Sequence, residues 1–244
     1  MPKVNKNANP TTGHTPFAVV EAYNTIRTNI LFVLSQRKGR SFVVSSSNPG
    51  EGKSTTALNI ASSFSQLGSK ILIIDGDMRK PILHKKAHIQ NSKGLSSVLV
   101  GFCGIDEAIH EINPFLYLLP SGPTPPNPGE LLSSEAFDEL MAELKEKFDY
   151  VIVDTPPINV VSDAVVAATR TDGIVLVARD RKTYHDDFKS TISSIEFANV
   201  KILGAVLNAI DAKETEKHKY KYKYRYRYKY RNYANSSYIN NNNQ

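Results

Sequence analysis

Residues 42–61 read Phe42-Val43-Val44-Ser45-Ser46-Ser47-Asn48-Pro49-Gly50-Glu51-Gly52-Lys53-Ser54-Thr55-Thr56-Ala57-Leu58-Asn59-Ile60-Ala61. An apolar run leads into a glycine-containing loop, then Gly-Lys-Ser, then a helical pattern. That order of elements is the context in which a phosphate-loop motif becomes a site. Glycines let successive N–H groups turn towards one anion, and the helix N-terminus adds its partial positive charge. Ser47, Asn48, Pro49, Gly50, Glu51, Gly52, Lys53, Ser54 and Thr55 are therefore expected to hold a nucleotide. Lys53 would reach the β- and γ-phosphates and Ser54 would sit on Mg²⁺. The first motif position carries Ser47 rather than glycine, a mild departure to another small residue.

Working outward, the pattern of apolar runs repeats. Ile71-Leu72-Ile73-Ile74-Asp75-Gly76-Asp77-Met78-Arg79 is an apolar run that ends in acids, as a buried parallel strand does where its carboxyl end meets a ligand. A DxD at a strand end is often only a cap; beside a phosphate loop it suggests metal binding and proton removal. Period two puts Asp75, Asp77 and Arg79 on one side if the chain stays extended. Arg79 is then expected to steady phosphate charge. Tyr150-Val151-Ile152-Val153-Asp154-Thr155-Pro156-Pro157 repeats the theme as a Walker B pattern, whose Asp holds Mg²⁺ directly or through water. The expected catalytic set is Lys53, Asp75, Asp77 and Asp154, with Ser54, Asp77 and Asp154 around the metal. Asp75 is preferred as the base, although either aspartate of the pair suits either role.

The remaining elements follow from periodicity. A helix is expected from Pro16 to about Arg37, with Val19, Val20, Tyr23, Ile26, Ile30, Leu31 and Leu34 at helical spacing. Strands are expected at residues 115–120, 173–178 and 202–207, the last ending at Asn208, which is counted with the nucleotide-binding residues. Helices are expected at 95–99, 134–147, 161–170 and 186–197. Residues 81–114 are less telling, and their His84, Lys85, Lys86 and His88 read as a solvated face. Apolar strands alternating with helices predict an α/β protein of the P-loop NTPase class, with a doubly wound, mostly parallel sheet and helices on both faces.

The net charge of +6 is unevenly placed. Residues 213–231 hold nine Lys or Arg and two Glu, a balance of +7, which leaves the rest of the chain at −1. This gives three expected parts: a flexible 1–15, a P-loop domain over 16–211, and a basic, disordered, tyrosine-rich tail over 212–244. Eight of the twelve tyrosines lie there, Tyr220, Tyr222, Tyr224, Tyr226, Tyr228, Tyr230, Tyr233 and Tyr238. Cations interleaved with aromatics suit single-stranded nucleic acid or an anionic membrane. Tyrosine at every aromatic position favours a third reading, in which these residues are phosphoryl acceptors. The lone Cys103 excludes a disulfide framework or a cysteine-based zinc site. With no signal-peptide pattern and no apolar run near a membrane span, a cytoplasmic protein is expected.

Together the loop 47–54, the Asp75–Arg79 motif, the Val151–Pro157 motif, Ser121-Gly122-Pro123 with Pro126-Asn127-Pro128, and the tyrosine tail resemble the bacterial tyrosine kinases (BY-kinases) of capsule and exopolysaccharide systems. The resemblance covers nearly the whole chain. It implies ATP and Mg²⁺, autophosphorylation of the tail between neighbouring subunits, and other protein-tyrosine substrates. It also implies a membrane-embedded activator of the polysaccharide chain-length type, which recruits the chain to the inner face of the membrane, and a cognate phosphatase. The family's Glu-x-x-Arg-x-x-Arg ring motif is met by Glu21 and Arg27, with Asn24 at the middle position. A homo-oligomeric ring is therefore implied, with its register in question. The alternatives are an ATPase switch of the MinD and ParA kind, which commonly carries a further lysine near the start of the loop, and a nucleic-acid-binding ATPase using the tail as an arm. Nucleic acid is not the expected partner.

Overall fold

The computed structural model describes residues 17–36 and 38–210. The tail tyrosines and the expected flexible N-terminus lie outside the described residues. From Phe17 to Asn208 the described residues form one compact unit.

In chain order the elements are α1 (Phe17–Ser35), β1 (Ser41–Ser46), α2 (Lys53–Ser65), β2 (Ile71–Asp75), α3 (Leu83–Lys86), α4 (Leu95–Leu99), α5 (Ile105–Ala108) and β3 (His110–Asn113). There follow β4 (Leu116–Leu119), α6 (Pro128–Leu132), α7 (Glu135–Lys147), β5 (Tyr150–Asp154), α8 (Asp163–Ala168), β6 (Ile174–Arg179), α9 (His185–Phe197) and β7 (Ile202–Asn208). The seven strands form one sheet in the order β3-β4-β2-β5-β1-β6-β7, parallel throughout except for β3 against β4.

Covered faces explain why the central strands are apolar without alternation. Phe42, Val44, Ile71, Ile73 and Ile152 pack with α1 and α2 on one side, among Ile30, Leu34, Ile60 and Phe64. Val43, Leu72, Ile74, Val151 and Val153 pack on the other with Phe137, Leu144, Ala164 and Ile195. Phe42 and Val43 are adjacent in the chain and both fully buried, one in each layer.

Register does the work that matters for the site. Asp75 at the end of β2 is the direct neighbour of Asp154 at the end of β5, and Asp154 pairs with Val44 of β1 on its other side. The carboxyl ends of three adjacent strands thus bring both acidic motifs to the phosphate loop, which leaves the end of β1. Gly76 lets these ends meet: its N–H donates to the Asp154 carbonyl at 2.7 Å, and a Cβ there would lie 2.9 Å from that oxygen.

Helix α1 is fastened to α2 by Arg27, which donates from Nη1 to the Ser63 carbonyl at 2.6 Å and to Ser63 Oγ at 3.0 Å. Asn24, at the position where the resembled motif has arginine, donates to Glu21 and accepts from Ser63 Oγ at 3.3 Å. In this chain the motif makes intrachain bonds. Arg27→Ala is expected to cost about 2 kcal/mol, the range for a hydrogen bond to a charged group. The denaturation midpoint checks this; a change under about 0.5 kcal/mol would mean the docking of α1 does not depend on it.

The structure corrects some boundaries. The expected helix over 134–147 starts at Glu135, because Ser134 accepts from Phe137 N and serves as its cap, and a separate short α6 precedes it after Asn127. The helix expected over 161–170 is shorter, Asp163–Ala168. Within 81–114 the expected helix over 95–99 is present as α4, and two further short helices, α3 and α5, and the antiparallel edge strand β3 accompany it.

Candidate functional site

The phosphate loop takes its shape from two glycines in the left-handed region, Gly50 at φ 75° and Gly52 at φ 95°. Gly52 is the N-cap of α2, so Lys53 opens that helix. The N–H groups of Gly50, Glu51 and Gly52 make no hydrogen bond to another described residue. Three donors in a row at a helix N-terminus form a concavity suited to an anion.

A cleft of about 420 Å³ lies along this loop. Of the expected residues, Pro49, Gly50, Gly52, Lys53, Ser54, Thr55, Asp77 and Arg79 line it. Lys80 and Lys86 add cations to its wall, and Pro156, Pro157 and Val160 make an apolar rim. Neither lysine carried a motif in the sequence; Lys86 had been grouped with the solvated face.

The Lys53 ammonium lies 2.9 Å from Asp77 Oδ2 and 3.9 Å from Asp154 Oδ1. Burial works against its charge, but Asp154 and Asp77 more than offset that and raise its pKa. Asp154 is fully buried, and neither carboxylate oxygen has a hydrogen bond among the described residues. Burial pushes its pKa up to about 6 in spite of Lys53. Asp75 is also fully buried; Oδ2 accepts from Ile82 N at 3.0 Å and Leu83 N at 2.9 Å, while Oδ1 has no partner. Burial first and Asp154 second push Asp75 up to about 7. Four charged groups thus share one small volume, and two of them titrate near neutral pH.

The acidic motif does not stay extended. β2 stops at Asp75 and the chain turns, so Asp75, Asp77 and Arg79 do not share one side. Asp77 faces Lys53 and accepts from Lys80 N at 3.0 Å. Arg79 forks onto Asp163 at the start of α8, at 2.8 and 3.1 Å. It lines the cleft, with its guanidinium held by the Asp163 carboxylate. The other expected residues lie outside the cleft wall. Ser47 accepts from Thr191, Asn48 donates to Asp187 and Glu51 accepts from Thr183, all turned towards the β6–α9 side. Asn208 donates to the Glu51 carbonyl at 3.0 Å.

Sequence comparison places this geometry in a family. A family model described as an AAA domain matches residues 39–202. Tyrosine-protein kinase YwqD of Bacillus subtilis (strain 168) is 43% identical over 199 residues, covering 81% of this chain and 83% of that protein. The chain belongs to the bacterial tyrosine-protein kinases. The putative tyrosine-protein kinase CapB of Staphylococcus aureus is 39% identical over 191 residues, 78% of the kinase described here and 84% of CapB. The crystal structure of the chimerical protein CapA2B2 superposes with a TM-score of 0.76 at 39% identity, covering 82% of this kinase and 88% of that chain. The kinase domain of Escherichia coli tyrosine kinase ETK gives a TM-score of 0.76 at 31% identity, covering 78% and 75%. A cobyrinic acid a,c-diamide synthase from Mycobacterium smegmatis, solved with an ATP analogue and magnesium, has a TM-score of 0.61 at 21% identity, which speaks for the P-loop fold alone. Among the described residues no helix is long and apolar enough to cross a membrane.

Proposed function

We propose that this kinase transfers the γ-phosphoryl group of ATP to the tyrosines of its tail, Tyr220 to Tyr238, in a neighbouring copy, and so regulates capsule or exopolysaccharide synthesis. The observation that carries the reading is the cleft, where Lys53 sits between two aspartates beside three unpartnered loop N–H groups. These donors and Lys53 suit the charge that spreads over a phosphoryl group in transfer. The bond from the γ-phosphorus to ADP breaks, the bond to the phenolic oxygen forms, and the phenol's proton leaves. A phenol with an ordinary pKa near 10 needs a base for that. Asp75 has the two attributes of one, a pKa raised towards working pH and an Oδ1 without a partner. Asp77 is engaged by Lys53 and Lys80 N.

A magnesium ion fits the donor set: the Asp154 carboxylate is buried beside the Ser54 hydroxyl and the Lys53 ammonium, and that hydroxyl and Asp77 complete an all-oxygen group. Bound there, the ion would neutralise β- and γ-phosphate charge. Each added phosphate replaces a neutral phenol with about −1.5 to −2 charge, enough to reverse the tail's sign after a few events. That reversal would expel the tail from a neighbour's cleft and loosen the assembly. A membrane-embedded activator would recruit the kinase to the inner membrane face, and a phosphatase would reset it.

The test is incubation of the full chain with ATP and Mg²⁺, with and without the activator's cytoplasmic peptide, followed by mass spectrometry. Phosphotyrosine is expected within residues 220–238. A chain with all eight tail tyrosines changed to Phe is expected to bind ATP as before and lose that signal. Release of free phosphate with no tyrosine modified, activator peptide present, would overturn the reading in favour of an ATPase switch.

A further inference from the structure

The buried carboxylate of Glu51 stands inside the loop proposed to hold a triphosphate, where a second anion is electrostatically unwelcome. It is fully buried and has two partners. Oε2 accepts from Asn48 N at 3.0 Å, and Oε1 accepts from the Thr183 hydroxyl at 2.5 Å. Thr183 belongs to the segment between β6 and α9, and its Oγ1 also accepts from Arg179 N at 2.8 Å. From the last residue of β6, Arg179 Nη1 donates to the Gly50 carbonyl at 3.0 Å. Lys182 Nζ donates to the Pro49 carbonyl at 3.1 Å and the Gly50 carbonyl at 3.3 Å.

We propose that Glu51, Thr183, Arg179 and Lys182 form a latch that sets the phosphate loop in its anion-binding shape, and that Thr183 is the positioning residue on which it turns. The proposal rests on the reading that this loop takes the phosphates of ATP.

A peptide unit is planar, with its N–H opposite its C=O. Cations that hold the Pro49 and Gly50 carbonyls on the outer side therefore turn the N–H groups of Gly50 and Glu51 to the inner side. Asn208 does the same for Gly52 by holding the Glu51 carbonyl. Glycine makes the shape possible but does not select it, since Gly50 and Gly52 could rotate into others at little cost. The selection comes from outside the loop. Glu51 supplies the anchor: its two oxygens tie Asn48 N, at the start of the loop, to the Thr183 hydroxyl. Without the hydroxyl of Thr183, a buried carboxylate loses a donor and the Arg179 backbone loses an acceptor together.

Thr183→Val keeps the shape of the side chain and removes only the hydroxyl; Thr183→Ser keeps the hydroxyl. The readouts are the Kd for ATP·Mg²⁺ by calorimetry and the split of KM and kcat in tyrosine phosphorylation, with a thermal melt to verify folding. Thr183→Val is expected to weaken ATP about tenfold, with kcat within about threefold, and Thr183→Ser to restore binding to within about twofold. Glu51→Ala is expected to match Thr183→Val, and the double variant to remain about tenfold weaker rather than a hundredfold, because both break one connected unit. Native ATP affinity in Thr183→Val, multiplied effects in the double variant, or a fall in kcat at unchanged KM would each overturn the latch. A native chain that binds ATP without phosphorylating tyrosine sinks the kinase reading while the latch is still read by Kd. A native chain that does not bind ATP at all sinks both.

Discussion

Lys53→Met is expected to reduce tyrosine phosphorylation on the order of a thousandfold, the scale for removing a charge aimed at a transferring phosphoryl group. Methionine keeps the stem and deletes the ammonium, so packing at the head of α2 is largely retained. The same change has a second, pH-dependent signature. Lys53 is what holds Asp77 and Asp154 together at 2.9 and 3.9 Å. Breaking a buried pair by deleting one partner costs about 3 kcal/mol, because the remaining charge is left uncompensated. Asp154 can escape the penalty by taking up a proton. In Lys53→Met its folded-state pKa, already raised by burial, loses the opposing Lys53 charge and rises further above the unfolded one, so the folded state binds more protons than the unfolded chain across that window. Stability then falls as pH rises from about 4 through neutral, and the loss relative to the native chain is large at pH 8 and small near pH 5. Thermal melts at the two pH values check the sign, and incorporation of labelled phosphate checks the rate. A variant that retains a tenth of native activity, or is equally destabilised at both pH values, would remove Lys53 from the centre of the site.

Why some of this was legible in the chain and some not has a physical basis. Runs such as Phe42-Val43-Val44 and Ile71–Ile74 announce themselves because both faces of the sheet are covered and every side chain is buried. Acids that end such runs, Asp75 and Asp154, stand out against that apolar background. The edge strand β3, His110-Glu111-Ile112-Asn113, carries no such signal, since its residues are at most half-buried and only one neighbour pairs with it. Short α3 and α5, each four residues long, are too brief for a period to show. The turn after Asp75 was hidden for a related reason: period two is a property of extended chain, and nothing local says where extension stops. Partners distant in sequence were hidden altogether. Asp163 lies 84 residues from Arg79, and Thr183 lies 132 residues from Glu51. Those pairings come from strand order, which brings β5 beside β2 and β6 beside β1. Nothing in the sequence around Arg179 and Lys182 marks them for that reason, although they hold the carbonyls of the phosphate loop.

Asp75→Asn is expected to make the nucleotide-free kinase more stable at pH 8 and much less active. Asp75 has a folded-state pKa of about 7 against an ordinary 3.8, because burial and the neighbouring Asp154 disfavour its charge. A carboxyl whose pKa is raised on folding is a liability above that pKa: the folded state binds the proton more tightly, so stability declines as pH rises from about 4 to about 7 and stays reduced beyond. The full penalty is on the order of 4 kcal/mol. Asparagine removes the charge and keeps an oxygen to accept from Ile82 and Leu83 N–H, while its amide N–H₂ takes the place of the unpartnered Oδ1. An unsatisfied buried donor costs about 1–3 kcal/mol. The net gain at pH 8 is then about 1–3 kcal/mol, or several degrees in Tm at this chain length, and it vanishes or reverses at pH 5, where native Asp75 is already protonated. If Asp75 is the base, phosphorylation falls about 10²- to 10⁴-fold and the acid limb of the kcat profile near pH 7 disappears. A loss of Tm at pH 8 would contradict the burial argument. A native rate with an intact acid limb would move the base to Asp77, the carboxylate that lines the cleft. A site that keeps an unpaired carboxylate against its own stability, and loses its chemistry when relieved of it, holds that group for the reaction rather than for the fold.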